Sequence, residues 1–232
     1  TGTPDVPQVK GNIRLRNFQV SDLAFDQLLT GNVNFQGGQG ASLRLAGKQD
    51  RIALNLGANY RPTSFLVRRD GAVTTGRTEG DNLLINAQEF PIALVGGFLP
   101  NNQLKPLAGQ LSGNLVVNLN NYAVAGDIAI ARPRVARVAA DQFRGTINYA
   151  DGTASLANGQ LQIGGSNIAL SGNVQTGNDP KFQFQANLDQ ARIERLLQAF
   201  NIFDFKDLDS GLQPPKLARA DALKTKPVNL PN

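Results

Sequence analysis

Four residue types are missing from this 232-residue sequence: Cys, Met, Trp and His. Without Cys there can be no disulfide framework, thiolate nucleophile or zinc site of the thiolate kind. Without His the commonest metal ligand and general base is gone, and with it any Ser-His or Cys-His pair. Position 1 is Thr, which cannot be a translational start, so the chain is expected to be an excised or processed piece of something longer. Charged residues make up only 18% against 41% hydrophobic, enough apolar material for a core. With 24 Gly and 12 Phe, the profile is that of a β-rich chain.

The net charge of +5 would by itself admit a nucleic-acid or anionic-membrane partner. The 23 Lys and Arg are spread singly, with small groups at Arg68-Arg69 and at Arg132, Arg134 and Arg137. No basic run is interleaved with aromatics, the pattern used by single-strand binders, which argues against nucleic acid. No apolar run approaches the ~18 residues of a membrane-spanning helix, and no signal peptide opens the chain.

What is present is two-residue alternation. Ile52, Leu54 and Leu56 alternate with Ala53 and Asn55, Leu161 and Ile163 with Gln160 and Gln162, and Phe182, Phe184, Ala186 and Leu188 with Gln183, Gln185 and Asn187. Such alternation predicts strands with one apolar and one amide-rich face. Asp70-Gly71 and Asp151-Gly152 are hairpin signals, and Glu79-Gly80, Asn120-Asn121 and Gly164-Gly165 read as further tight reversals. Short sequential turns predict a meander of about a dozen or more strands, each of roughly five to eight residues.

Two short helices are expected. One starts at the N-cap Asp189 and carries Ile193, Leu196, Leu197 and Phe200 on one face. The other starts at Pro91 and runs through Leu94, Val95 and Phe98. An internal repeat is also visible. Gly11-Asn12-Ile13-Arg14-Leu15 resembles Gly113-Asn114-Leu115-Val116-Val117, and the block from Asp26-Gln27 to Phe35 resembles that from Asp141-Gln142 to Tyr149. The organisation expected is a linker at 1–9, a first β repeat at 10–104, a second at 105–205 ending in the amphipathic helix, and a Pro-rich linker or tail at 206–232.

Chemistry-bearing constellations are scarce. Asp204, Asp207 and Asp209 before Gly211 have the wrong spacing for a calcium loop, and no Glu follows. Gly37-Gly38-Gln39-Gly40 is followed by a strand pattern rather than by the helix and Lys of a phosphate loop. No Gly-x-Ser-x-Gly occurs. Neither an enzyme nor a cofactor or metal is supported. The one-faced strands must bury their apolar side, either in a β-sandwich or in a sheet that curls into a trough. By periodicity alone the sandwich stands slightly ahead.

Three segments point further. The run from Leu107-Ala108-Gly109-Gln110-Leu111 to Leu115, the phrase from Tyr122-Ala123-Val124-Ala125-Gly126-Asp127 to Arg132-Pro133, and the block from Phe143-Arg144-Gly145 to Asp151-Gly152 resemble the TamB family. The likeness is to the repeat-bearing middle of cyanobacterial and plastid-type members, over roughly residues 10–203. It rests on strand-and-turn patterns; the family offers no catalytic residues to carry over.

The resemblance implies an all-β chain whose long antiparallel meander curls into an open apolar groove, a β-taco, with one or two short helices. It implies membership of the AsmA-like bridge-type lipid-transfer proteins, which move phospholipid through the periplasm, or the envelope intermembrane space, from inner to outer membrane. An inner-membrane anchor and an outer-membrane partner of the Omp85 family would belong to other parts of the full-length chain. Plastid relatives imply a role in protein translocation instead.

The groove would take phospholipid acyl chains. Its lining is expected from Ile13, Leu15, Val33, Phe35, Leu43, Leu45, Ile52, Leu54, Leu56, Phe65, Val67, Leu115, Val117, Ile128, Ile130, Ile147, Tyr149, Leu161, Ile163, Ile168, Leu170, Val174, Phe182 and Phe184. The helix of Ile193, Leu196, Leu197 and Phe200 would cover it. The second reading is a structural scaffold or chaperone for outer-membrane proteins, and a sugar-binding sandwich is disfavoured by the lack of Trp.

Overall fold

The computed structural model describes residues 2–3, 6–20, 23–93, 107–135, 138–175 and 181–189. Within them the chain is a meander of strands. The first half holds β1 (Gly2–Thr3), β2 (Val6–Arg16), β3 (Gln19–Val20), β4 (Leu23–Ala24), β5 (Leu28–Gln36), β6 (Gly40–Ala46), β7 (Arg51–Leu56), β8 (Pro62–Arg69), β9 (Ala72–Glu79) and β10 (Asn82–Pro91). The second holds β11 (Leu107–Asn118), β12 (Val124–Val135), β13 (Val138–Ala139), β14 (Gln142–Ala150), β15 (Thr153–Ile163), β16 (Ser166–Gln175) and β17 (Lys181–Asp189). Fifteen of these strands form one antiparallel sheet in which nearly every strand pairs with its predecessor in sequence. The strands β3 and β4 form a separate small hairpin.

The two edges of the large sheet do not meet, so the meander is curled but open. The two halves are joined without a seam: β10 and β11 pair from Asn82↔Asn118 to Pro91↔Gln110. Strands reach 12 residues in β11 and β12, longer than the sequence predicts. Bulges near Gly109 and between Leu156 and Gly159 let a strand continue past a break in its alternation.

The Asp-Gly turns form as predicted, with positive φ at both residues of Asp70-Gly71 (41° and 89°) and Asp151-Gly152 (49° and 73°). Gly164-Gly165 adopts the same geometry at 55° and 81°. The Glu79-Gly80 reversal is displaced by one residue: Glu79 pairs with Asn82, so Gly80 and Asp81 make the turn.

Among the described residues Ala58–Tyr60 is a single helical turn, and Ala93 is helical where the described segment 23–93 ends. Pro91 ends β10 opposite Gln110 rather than opening a helix; at a strand end Pro is tolerated, and the next N–H, of Ile92, still donates to the Gly109 carbonyl at 3.1 Å. Leu94, Val95 and Phe98 lie outside the described residues, as do the whole of 190–200 and Asp204, Asp207 and Asp209.

The internal repeat has a structural basis and a different register. In the first copy β2 is followed by Asn17 (φ 53°), whose N–H donates to the carbonyl of Gln27. Between them the chain makes a small excursion closed by Gln19↔Ala24, Val20↔Leu23 and a Phe25 N–H to Phe18 carbonyl bond. In the second copy β12 reaches Arg132 (φ 49°), whose N–H donates to the carbonyl of Asp141. The intervening excursion is closed by Arg134↔Ala139, Val135↔Val138 and an Ala140 N–H to Pro133 carbonyl bond. The excursion recurs 115 positions later, from Asn17 to Arg132 and from Phe25 to Ala140; the closing carbonyl alone, Gln27 and then Asp141, shifts by 114. Gly11 therefore corresponds to Gly126 and β2 to β12, not to β11. The Gly-Asn-aliphatic phrase at Gly113 is the same strand chemistry arising independently.

Candidate functional site

Antiparallel pairing places directly opposed residues on the same face, so the registers trace rows of side chains across the sheet. One row crosses thirteen strands: Gly11, Val33, Leu43, Leu54, Phe65, Gly76, Ile85, Leu115, Gly126, Ile147, Leu156, Gly172 and Phe184. A parallel row contains Ile13, Leu45, Ile52, Val67, Thr74, Ala87 and Ile128. Following these registers, the lining candidates from Ile13 to Phe184 other than Phe182 fall on one face, and the backbone of Phe182 pairs with that of Val174. Residues that alternation overlooks share that face: Leu83, Ile85, Leu111, Val124, Phe143 and Leu156. Their signal is hidden where three aliphatics run together, as in Leu83-Leu84-Ile85, or where a bulge changes parity within β15.

This face is not a closed core. Among the described residues the buried hydrophobics are Leu29, Leu45, Ala72, Leu83, Ala87, Ile92, Ile163 and Ile168, of which Leu29 and Ile163 are fully buried. All but Leu83 lie near the rim of the sheet that carries the two excursions, where Ala140 of the second one packs against Ile163 and Ile168. The middle of the face, from Leu43 and Leu54 through Leu115 to Ile147, stays half-buried. On the edge strands it is exposed, with Val9 at 52%, Phe184 at 59% and Leu188 at 53%. Among the described residues the arrangement is an aliphatic lane closed along one rim and open over its length.

Polar groups on the lane are few. Thr74 is buried between Val67 and Ala87 and its hydroxyl has no hydrogen-bond partner. Gly76 lies beneath the Phe65 ring, where any Cβ would collide with the ring edge. An aromatic laid over a strand glycine in this way keeps the lane continuous where the glycine offers no side chain.

The closed rim is held by a carboxylate hook. The Asp26 carboxylate accepts from the N–H groups of Gln49 (2.8 Å) and Asp50 (2.9 Å), while Asp50 accepts from the Asp26 N–H at 2.6 Å. Asp26 thus ties the end of the first excursion to the β6–β7 turn. Asp141 does the same in the second copy, accepting from Gly164 N–H in the β15–β16 turn at 2.7 Å. Arg69 completes the first copy, its guanidinium 5.6 Å from the Phe25 ring centre and donating to the Ala24 carbonyl. The opposite rim is clipped by Arg61, which bonds Asp81 at 2.8 Å and Asn120 at 3.2 Å.

The N–H donors of Asp50 and Gln49, with that of Lys48 and the charge of Arg69, hold the Asp26 carboxyl below its ordinary value of 3.8. The folded chain prefers the carboxylate, so this stabilisation is full above the ordinary value and is lost as pH falls through the lowered one. Wild-type protein should therefore lose thermal stability on acidification more steeply than Asp26→Asn. The two melting curves should converge at the acid end, as thermal unfolding followed by circular dichroism across pH would record. Parallel curves would mean the hook carries no charge-dependent stability.

Among the described residues no three carboxylates come together as a metal site would need. No described helix is long and apolar enough to cross a membrane. Comparison of the chain with protein-family models, with curated proteins and with solved structures finds no match.

Proposed function

We propose that the aliphatic lane holds phospholipid acyl chains and that the chain is a segment of a bridge carrying phospholipid from inner to outer membrane in support of outer-membrane biogenesis. The observation that carries this reading is the uninterrupted apolar row across thirteen strands, half-buried and open to one side. A lining of Ile, Leu, Val and Phe provides no orienting hydrogen bonds. It suits a ligand held by area, at about 0.8 kcal/mol per buried CH₂. Headgroups would remain in water along the opening. The resemblance to the TamB family supports a periplasmic or intermembrane location and an Omp85-family partner reached through other parts of a longer protein.

A scaffold or chaperone role is the second reading. It is favoured by the outer edge of β17, which pairs with no described strand and exposes Phe184 and Leu188, a surface able to add a substrate strand. One experiment separates the two. The purified chain is extracted and its organic phase examined by mass spectrometry, in parallel with a photo-crosslinker placed at the half-buried mid-lane Leu115. Co-purifying phospholipid together with lipid adducts is the expected result. Peptide adducts with no lipid in the extract would replace the conduit by the scaffold.

A further inference from the structure

The polar face opposite the lane is not uniform. Over β2, β5, β6, β7 and β8 the residues on that face include Lys10, Arg14, Arg16, Arg44, Arg51 and Arg68, and not one Asp or Glu. All six cations are exposed, and none joins an ion pair among the described residues. Arg51 and Arg68 are directly opposed across β7 and β8, a like-charge pairing that costs the sheet stability. Arg14 lies in the same row, reached through Thr30 and Ala46.

Elsewhere on this face acidic residues stand among the cations or a cation bonds an amide. On β9 the exposed Arg77 is paired with Glu79 at 2.6 Å, on the adjacent strands β12 and β14 Asp127 shares the face with Arg144, and Arg132 donates to the Gln110 amide oxygen at 3.3 Å. The asymmetry escapes a linear reading because the cations are scattered over five strands and several alternate with aliphatics, as in Ile13-Arg14-Leu15-Arg16 and Leu43-Arg44-Leu45. Registration of the strands gathers the six into one field.

We infer that this acid-free arginine field is a docking surface for an anionic phospholipid bilayer. Its width is four inter-strand steps, roughly 19 Å, and its length from Lys10 to Arg16 is about 20 Å, so it spans several lipid headgroups. Five of the six cations are Arg, whose planar guanidinium pairs with phosphate oxygens in two-point fashion. No aromatic stands on this face within these strands, so bases would have no platform on which to stack. A bilayer of phosphate groups also relieves the Arg51–Arg68 repulsion that the folded chain leaves uncompensated. This surface is separate from the lane: it lies on the other side of the sheet and works by charge rather than by apolar area.

The test is co-sedimentation of the full chain with vesicles of phosphatidylcholine containing phosphatidylglycerol, beside vesicles of phosphatidylcholine alone. Binding is expected to the anionic vesicles only and to fall with salt. The double variant Arg51→Gln/Arg68→Gln should weaken it on the order of thirty-fold, about five-fold per charge. The double variant Arg14→Gln/Arg16→Gln should do the same, so the test does not depend on one pair. The control Arg77→Gln/Arg144→Gln, which removes as much charge outside the field, should leave binding within about two-fold, since screening confines the attraction to the field itself. Equal loss in the control would reduce the effect to net charge and overturn the inference. So would equal binding to neutral vesicles, which would assign membrane contact to the apolar lane. Patch-dependent binding of single-stranded DNA without vesicle binding would assign the field to nucleic acid instead.

Discussion

Arg placed at Leu54 or at Ile128 should abolish lipid carriage while the chain still folds. Leu54 sits mid-lane between Leu43 and Phe65, and Ile128 between Gly113 and Gly145 in the adjoining row. Both are half-buried, so the long stem of an Arg can lie along its neighbours and lift the guanidinium toward the opening. The fold then avoids the several kcal/mol of a desolvated charge. An acyl chain cannot avoid it, because it has to cover that position and strip water from the cation or leave a gap in its contacts. Phospholipid recovered with the purified variant should fall at least about ten-fold, the effect of ~1.4 kcal/mol or more on the lane's affinity for its ligand. Circular dichroism should stay that of the wild type. Arg at Leu66, which lies on the outer face opposite Ala53 and Thr75, adds the same charge and should leave lipid unchanged. Wild-type lipid content in both lane variants would remove the conduit reading.

That these two positions can be chosen at all reflects what alternation carries. A two-residue turn such as Asp70-Gly71 returns the chain with its parity matched, so an aliphatic series that alternates within each strand stays on one face through the next. From Ile13 to Val67 the connections are longer than two residues, and the lining there follows from the alternation within each strand. Beyond it, parity changes within strands. In β15 the lane residues are Ala154 and Leu156 before the bulge and Leu161 and Ile163 after it, with Asn158 at positive φ (52°) absorbing the extra residue. Alternation finds the second pair and loses Leu156.

The closed rim was illegible for another reason. Asp26 reads as an ordinary polar residue before a strand, and its partners lie 23 and 24 residues away in a turn that only the fold brings near. The recurrence of Asp-Gln in both halves was the one signal, and it marked the place without revealing the bond. The arginine field lay between these cases: every member was in plain view, but only the register makes neighbours of Arg14, Arg51 and Arg68.

Truncation of the lane and of its closed rim should separate an open trough from a sandwich core. Leu29 is fully buried at 0% exposure and Ile163 at 1%, both at the rim tied by the Asp26 and Asp141 hooks. Leu29→Ala and Ile163→Ala remove a whole contact shell and leave a cavity, at a cost of about 2–4 kcal/mol each. Leu43→Ala and Leu115→Ala remove side chains that already face the opening, so water fills the space and the cost should remain under about 1.5 kcal/mol. A second sheet packed on the lane would bury Leu43 and Leu115 as deeply as Leu29, and all four substitutions would then cost alike. Urea unfolding with a common slope gives the four values directly. The expected order, with the rim variants well above the lane variants, ties stability to the hooked rim and leaves the open lane free to exchange its contents. Four equal losses would mean that the lane is a core and has no room for a ligand.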